Sequence, residues 1–221
     1  MSTNDQRPMT NQASFFACYA GAFIRPQRTF DKLVTDPRRT RFGILFVTIP
    51  AVLYIFVYIF LNHGGGAPSV FTPWLNIPKE VYYFYNRFLT APSFYMSWIL
   101  SAGVVQLLSR LFKGKGSFED TLAVMGLGIA VAMWGTMLHD LVMSFLGAIR
   151  VISLAQHEID MNSPTVWRTL IWTCMIIYLA WFIVMFSKGI EAAQKVKRGH
   201  AVFLGIIGFV VFQLVFLIFN R

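Results

Sequence analysis

Five residues in one stretch of the chain have side chains able to do acid–base or metal chemistry: His139, Asp140, His157, Glu158 and Asp160. Imidazoles and carboxylates are the ligands of zinc and similar ions. Their spacing matches no standard metal site, and no H-e-x-x-h pattern joins them. They read as a solvated, mixed-charge rim, with Asp140 able to pair with Arg150 across it. A second run, His63-Gly64-Gly65-Gly66, has the look of an esterase oxyanion loop. That loop needs a g-x-S-x-g nucleophile elbow, and the chain contains none. The run reads as an exit from an apolar segment. The only long polar side chains deep in apolar segments are Gln106 and Gln213, and Arg110 sits near an end where it can snorkel. Intramembrane charges usually mark proton relays and ion paths, so their scarcity argues against a proton-coupled transporter. No catalytic residue, cofactor or metal is expected, and the chain is not read as an enzyme.

The elements that carry these residues are apolar. Hydrophobic residues make up 56% of the chain and charged ones 13%, about half the usual charged share of a soluble domain. Five stretches hold no Asp, Glu, Lys or Arg: residues 42–78, 88–109, 121–139, 169–187 and 199–220. Each can contain the roughly 20 residues that cross about 30 Å of hydrocarbon. Spans are expected near 43–61, 93–112, 121–143, 166–186 and 201–219. They must be helices, because lipid offers no partner to bare backbone groups, and the runs lack the alternation of barrel strands. The fold class is therefore all-α: a polytopic integral membrane protein with five transmembrane helices and short interfacial helices.

Charge placement sets the expected orientation. Fourteen of the nineteen basic residues fall before the first span, between the second and third, or between the fourth and fifth. By the positive-inside rule that side is cytoplasmic, with the N-terminus inside and the C-terminus outside. A bacterial inner membrane is the expected location. The net charge of +9 does not indicate nucleic acid, because the basic residues flank spans instead of forming one basic face. Cys18 in the tail and Cys174 in the fourth span are not expected to form a disulfide.

Residues 1–13 are polar and read as a disordered cytoplasmic tail; 14–221 form one membrane domain. After Pro26, the apolar residues Phe30, Leu33 and Val34 recur at helical spacing. Arg25, Arg28, Lys32, Arg38, Arg39 and Arg41 surround this stripe. The expectation is a helix lying on the anionic leaflet, the alternative being packing on the bundle itself. These six are the candidate membrane-surface or partner contacts. In the outer loop 62–92, Pro78 and a dense aromatic run suggest another interfacial helix. Ser117 and Asp120 form a capping-box pattern before the third span. Small residues allow close helix approach in a bilayer, and Gly126, Gly128, Ala132, Gly135, Gly205 and Gly208 are the candidate packing positions. These faces are read as intramolecular, a homo-oligomer seam being the alternative.

Two stretches carry a family resemblance. One is Pro26-Gln27-Arg28-Thr29-Phe30, followed by Asp36-Pro37 and Gly43. The other, more specific, is Lys113-Gly114-Lys115-Gly116-Ser117-Phe118-Glu119-Asp120-Thr121. Together they resemble the Yip family (Ypt-interacting proteins, the Yip-one domain) in its prokaryotic form. The resemblance covers roughly residues 14–219 and implies five spans with the N-terminus cytoplasmic. The Asp-Leu-Tyr-Gly-Pro motif of eukaryotic members that resemble Rab GTPase partners does not occur here, so their vesicle-traffic role does not carry over. The functional expectation is a non-enzymatic membrane scaffold or partner-binding protein, in contact with the lipid bilayer and other membrane proteins. The alternative is a channel or transporter for a small or lipidic solute.

Overall fold

The computed structural model describes residues 14–68 and 75–220. The tail 1–13 and Trp74 lie outside the described residues. All regular structure among the described residues is helical: α1 (Phe15–Ile24), α2 (Pro26–Thr35), α3 (Arg39–His63), α4 (Tyr82–Leu111), α5 (Phe118–Ala132), α6 (Trp134–Ala148), α7 (Leu154–Asn162), α8 (Val166–Gln194) and α9 (Arg198–Phe219), with one 3₁₀ turn at Lys79–Val81. Four helices, α3, α4, α8 and α9, are long and apolar enough to cross a membrane, and α5 with α6 makes a fifth if the bent pair is one span.

Helix α5 is the axis of the bundle. Thr121 and all of residues 123–132 are buried, with α3, α4 and α8 packed around them and α1 and α2 completing the shell. The sequence explains this: small residues along α5 let its neighbours approach. A Cβ on Gly126 would stand 2.7 Å from the Gly43 carbonyl oxygen of α3. Ser117 caps the helix, accepting from the Asp120 N–H at 3.1 Å while the Asp120 carboxylate accepts from the Ser117 N–H at 2.9 Å.

Three features differ from the sequence expectation. The third span is not one continuous helix over 121–143; α5 and α6 meet at Met133 at 47°. No proline lies there. The Tyr19 hydroxyl donates to the Ala130 carbonyl at 3.3 Å, the oxygen that the Trp134 N–H would reach in an unbroken ladder, and side-chain insertion of this kind bends helices. The helix that carries the expected second span, 93–112, begins earlier, at Tyr82. Its aromatic first turns belong to the same helix, so the interfacial helix expected after Pro78 is reduced to the 3₁₀ turn. Pro92 lies inside α4 and Pro50 inside α3, as membrane bundles tolerate. At 30 residues, α4 measures about 45 Å, longer than the hydrocarbon core. Finally, α2 does not lay its apolar stripe on lipid. Phe30 and Leu33 are fully buried against the bundle, with α8 as the main neighbour.

Helix α1 is the apolar arm of this N-terminal hairpin. Phe15 stacks on Phe46 of α3 with ring centroids 4.7 Å apart, and Phe23 meets Trp181 of α8 edge-on at 5.7 Å. It thus runs across the face of α5 between α3 and α8. Its outer side exposes Phe16 (77%) and Ile24 (78%), and no charged residue occurs in it.

Candidate functional site

Two regions gather polar groups, one at each end of the bundle. The first is the basic end, where α3 begins and α8 turns into α9. The six basic residues of the hairpin and the start of α3 divide here. Arg38 is tied to Asp36, with Nε and Nη2 each 3.1 Å from a carboxylate oxygen, and lies over the Phe42 ring at 4.9 Å. Asp36 is buried and also accepts from the Arg38 N–H at 2.8 Å. The Asp36-Pro37 corner is thereby fixed as the joint between α2 and α3. Arg39 pairs with Asp120 of α5 at 2.5 Å. Arg25, Arg28, Lys32 and Arg41 are exposed, and their side chains have no ion pair among the described residues.

Behind them lies a polar latch. Gln194, the last residue of α8, is fully buried. Its amide donates to Gln106 Oε1 at 2.5 Å and to the Thr121 hydroxyl at 2.6 Å, and its Oε1 accepts from the Gly116 N–H at 3.2 Å. The Lys115 N–H donates to the Gln194 carbonyl at 2.9 Å. Gln106 returns a bond to the Gly116 carbonyl at 3.1 Å, and Arg110 reaches the Gly114 and Gly116 carbonyls at 3.0 and 3.2 Å. The loop Lys113-Gly114-Lys115-Gly116 is thus clamped between α4 and α8. A Cβ on Gly116 would stand 2.3 Å from the Ala193 carbonyl oxygen, so glycine is required there. The motif's backbone and buried amides hold helices together, while Lys113, Lys115 and Glu119 stand exposed.

The second region is at the far end. The His/Asp/Glu set departs in part from the solvated rim expected from sequence: the two histidine side chains are buried, while Asp140, Glu158 and Asp160 stay partly exposed. Helix α7 folds back beside α8, brings His157 to 7% exposure, and sets its ring 5.5 Å from that of His139. Trp167 closes on His157 edge-on at 5.1 Å. Burial, then the neighbouring His139, pushes the His157 imidazole below its usual range. Asp140 faces His139 Nδ1 at 3.1 Å and accepts from the Tyr54 hydroxyl at 3.0 Å. Tyr54 in turn contacts the Thr136 hydroxyl at 3.0 Å. Asp140 therefore takes its partners inside the bundle rather than from Arg150. Among the described residues, no three or more His, Cys, Asp or Glu side chains are gathered to hold a metal ion. Sequence reasoning passed over Tyr54, Gln194 and Thr121; a tyrosine or glutamine within an apolar run was the available signal.

The candidate packing positions all lie at contacts within the chain. Besides Gly126, a Cβ on Gly128 would meet Phe186, on Gly205 Ser187, on Gly208 Val105, and on Gly135 the Tyr178 backbone at 2.6 Å. Ala132 is fully buried.

A bundle of apolar helices long enough to span a bilayer, with its charged groups confined to two ends, defines a multi-pass integral membrane protein. The Yip1 domain model matches residues 20–219, and the chain belongs to that family. A comparison with curated proteins and one with solved structures gave no match.

Proposed function

We propose that this protein is a non-enzymatic scaffold of a bacterial cytoplasmic membrane that docks an acidic segment of another membrane protein on its basic end, which faces the cytoplasm. The observation that carries this reading is the division of the six cations. Arg38 and Arg39 take intramolecular carboxylates, while Arg25, Arg28 and Lys32, on a hairpin whose apolar stripe is already seated on the bundle, and Arg41, in the first turn of α3, stand exposed. A ridge held rigid by its own core presents charge at little ordering cost, which favours association. Near an anionic leaflet each such charge is worth about 1 kcal/mol, so lipid headgroups compete for the same ridge.

Replacing Arg25, Arg28, Lys32 and Arg41 together by Gln tests it. Proteins co-purifying from gently solubilised membranes in a salt-sensitive manner are expected to be lost. An unchanged set of co-purifying proteins overturns the docking role. For orientation, single cysteines at Arg28 and Asn76 in a Cys18→Ala, Cys174→Ala background separate the two sides: Asn76→Cys is expected to react with an impermeant reagent in intact cells and Arg28→Cys not. The alternative, a channel or transporter for a small or lipidic solute, has one feature in its favour, a cavity at the far end of the bundle; solute flux into proteoliposomes decides between the two.

A further inference from the structure

A cavity of about 480 Å³ lies at the far end, between α3, α6, α7, the first half of α8 and the last turns of α9, with Tyr83 of α4 at its edge. Ligand sites for small molecules commonly fall in the range of about 300–1,000 Å³. Its polar lining is lopsided. Asp140 and Glu158 line it, and among the described residues no lysine or arginine does. His139 and His157 line it as well, and the Nε2 of each is buried with no hydrogen-bond partner among the described residues. Buried polar nitrogens are rarely left so in folded proteins. In the tautomer whose Nδ1–H donates to Asp140, Nε2 of His139 is left as an acceptor. The Tyr54 hydroxyl is already donated to Asp140. The chamber therefore offers negative charge and lone pairs, and asks for donors.

The rest of the lining is aromatic and soft. Tyr54, Tyr58, Tyr83 and Tyr178 bring ring surfaces, which attract cations. Met143, Met161 and Met175 bring flexible thioethers that adapt to irregular apolar shapes. With no metal-holding cluster among the described residues, an organic cation suits the lining better than a bare ion.

We infer that this cavity binds an amphiphilic organic amine, with the protonated head against Asp140, its N–H groups reaching the His139 and His157 nitrogens, and its apolar body among the methionines. The site is at the opposite end from the basic hairpin and stands independently of the docking role. An ethanolamine phospholipid head and a free long-chain amine share this chemistry.

The test uses the full chain purified in detergent, with dodecylamine as probe and dodecanol and dodecanoate as same-tail controls, read by native mass spectrometry and thermal shift. Dodecylamine is expected to bind saturably and raise the melting temperature, and the two controls are not. Asp140→Asn keeps the shape and removes the charge, and is expected to weaken dodecylamine at least about tenfold. Displacement of co-purified phosphatidylethanolamine by dodecylamine places a lipid head in the cavity; saturable binding that displaces no phospholipid places a free amine there. Equal binding of dodecanol by the wild-type protein overturns the inference, as does an Asp140→Asn variant that folds and binds dodecylamine undiminished. The head-group series on the wild-type protein decides the matter if Asp140→Asn fails to fold.

Discussion

The Tyr19 hydroxyl accepts a hydrogen bond from the Trp134 indole N–H at 2.5 Å and donates to the Ala130 carbonyl at 3.3 Å, so one side chain of α1 joins the two halves of the broken span. Tyr19→Phe removes both bonds with little change of shape. Stranding buried polar groups costs about 1–3 kcal/mol, and a clear fall in the detergent melting temperature is expected. Trp134→Phe tests the pairing through a double-mutant cycle. If the two effects simply add, the hydroxyl does not couple α1 to the bend.

The latch at the basic end makes a separate prediction. Gln194→Ala leaves the buried Gly116 N–H without its partner and takes one of two donors from Gln106 Oε1, which keeps the Thr121 hydroxyl, at a cost again of about 1–3 kcal/mol. Gln156→Ala is the control: Gln156 is exposed and its side chain donates to Asp160 on its own helix, so the change in stability is expected to be less than about 0.5 kcal/mol. Equal melting of the two variants would mean that the loop is held by something other than Gln194.

Two glycines give a matched pair on backbone approach. A Cβ at Gly135 would stand 2.6 Å from Tyr178 Cα, whereas at Gly103 of α4 it would meet nothing within 4 Å. Backbone cannot yield as a side chain tip can, so Gly135→Ala should push α8 off the bend and lower thermal stability. Gly103→Ala should be neutral or mildly stabilising, because alanine favours the helix. A Gly135→Ala protein as stable as the parent would show that α6 and α8 are free to part.

His157 predicts a pH dependence. Its folded value is held below the unfolded one, near 6.5, by burial and by His139, with Glu158, Asp160 and Asp140 opposing the shift. Between those two values the unfolded chain binds more protons, so the stabilisation is whole above about pH 6.5 and is lost as the pH falls below it. The melting temperature should therefore drop between pH 7.5 and pH 5.5, and His157→Asn should flatten that slope. An unaltered slope in the variant would move the dependence to another group.

The sequence by itself determined the solvent and the element type. Long runs without charge demand helices in a bilayer, and the basic residues flanking them mark two unlike ends. It also showed local chemistry: the capping box of Ser117 and Asp120, and the Lys113–Thr121 stretch that carries the family resemblance. What only the tertiary structure decided is what covers each apolar face. In water an apolar stripe such as Phe30, Leu33 and Val34 must be buried by protein, but at a membrane surface lipid is an equally good cover, so periodicity could not tell the leaflet from α8. The same indifference hid the position of α1 across α5. The bend at Met133 has no proline to announce it, and the hydroxyl that bonds across it, that of Tyr19, lies 111 residues from Ala130. The meeting of His139 with His157 depends on how α7 folds back, and loop closure of that kind leaves no spacing rule in the chain.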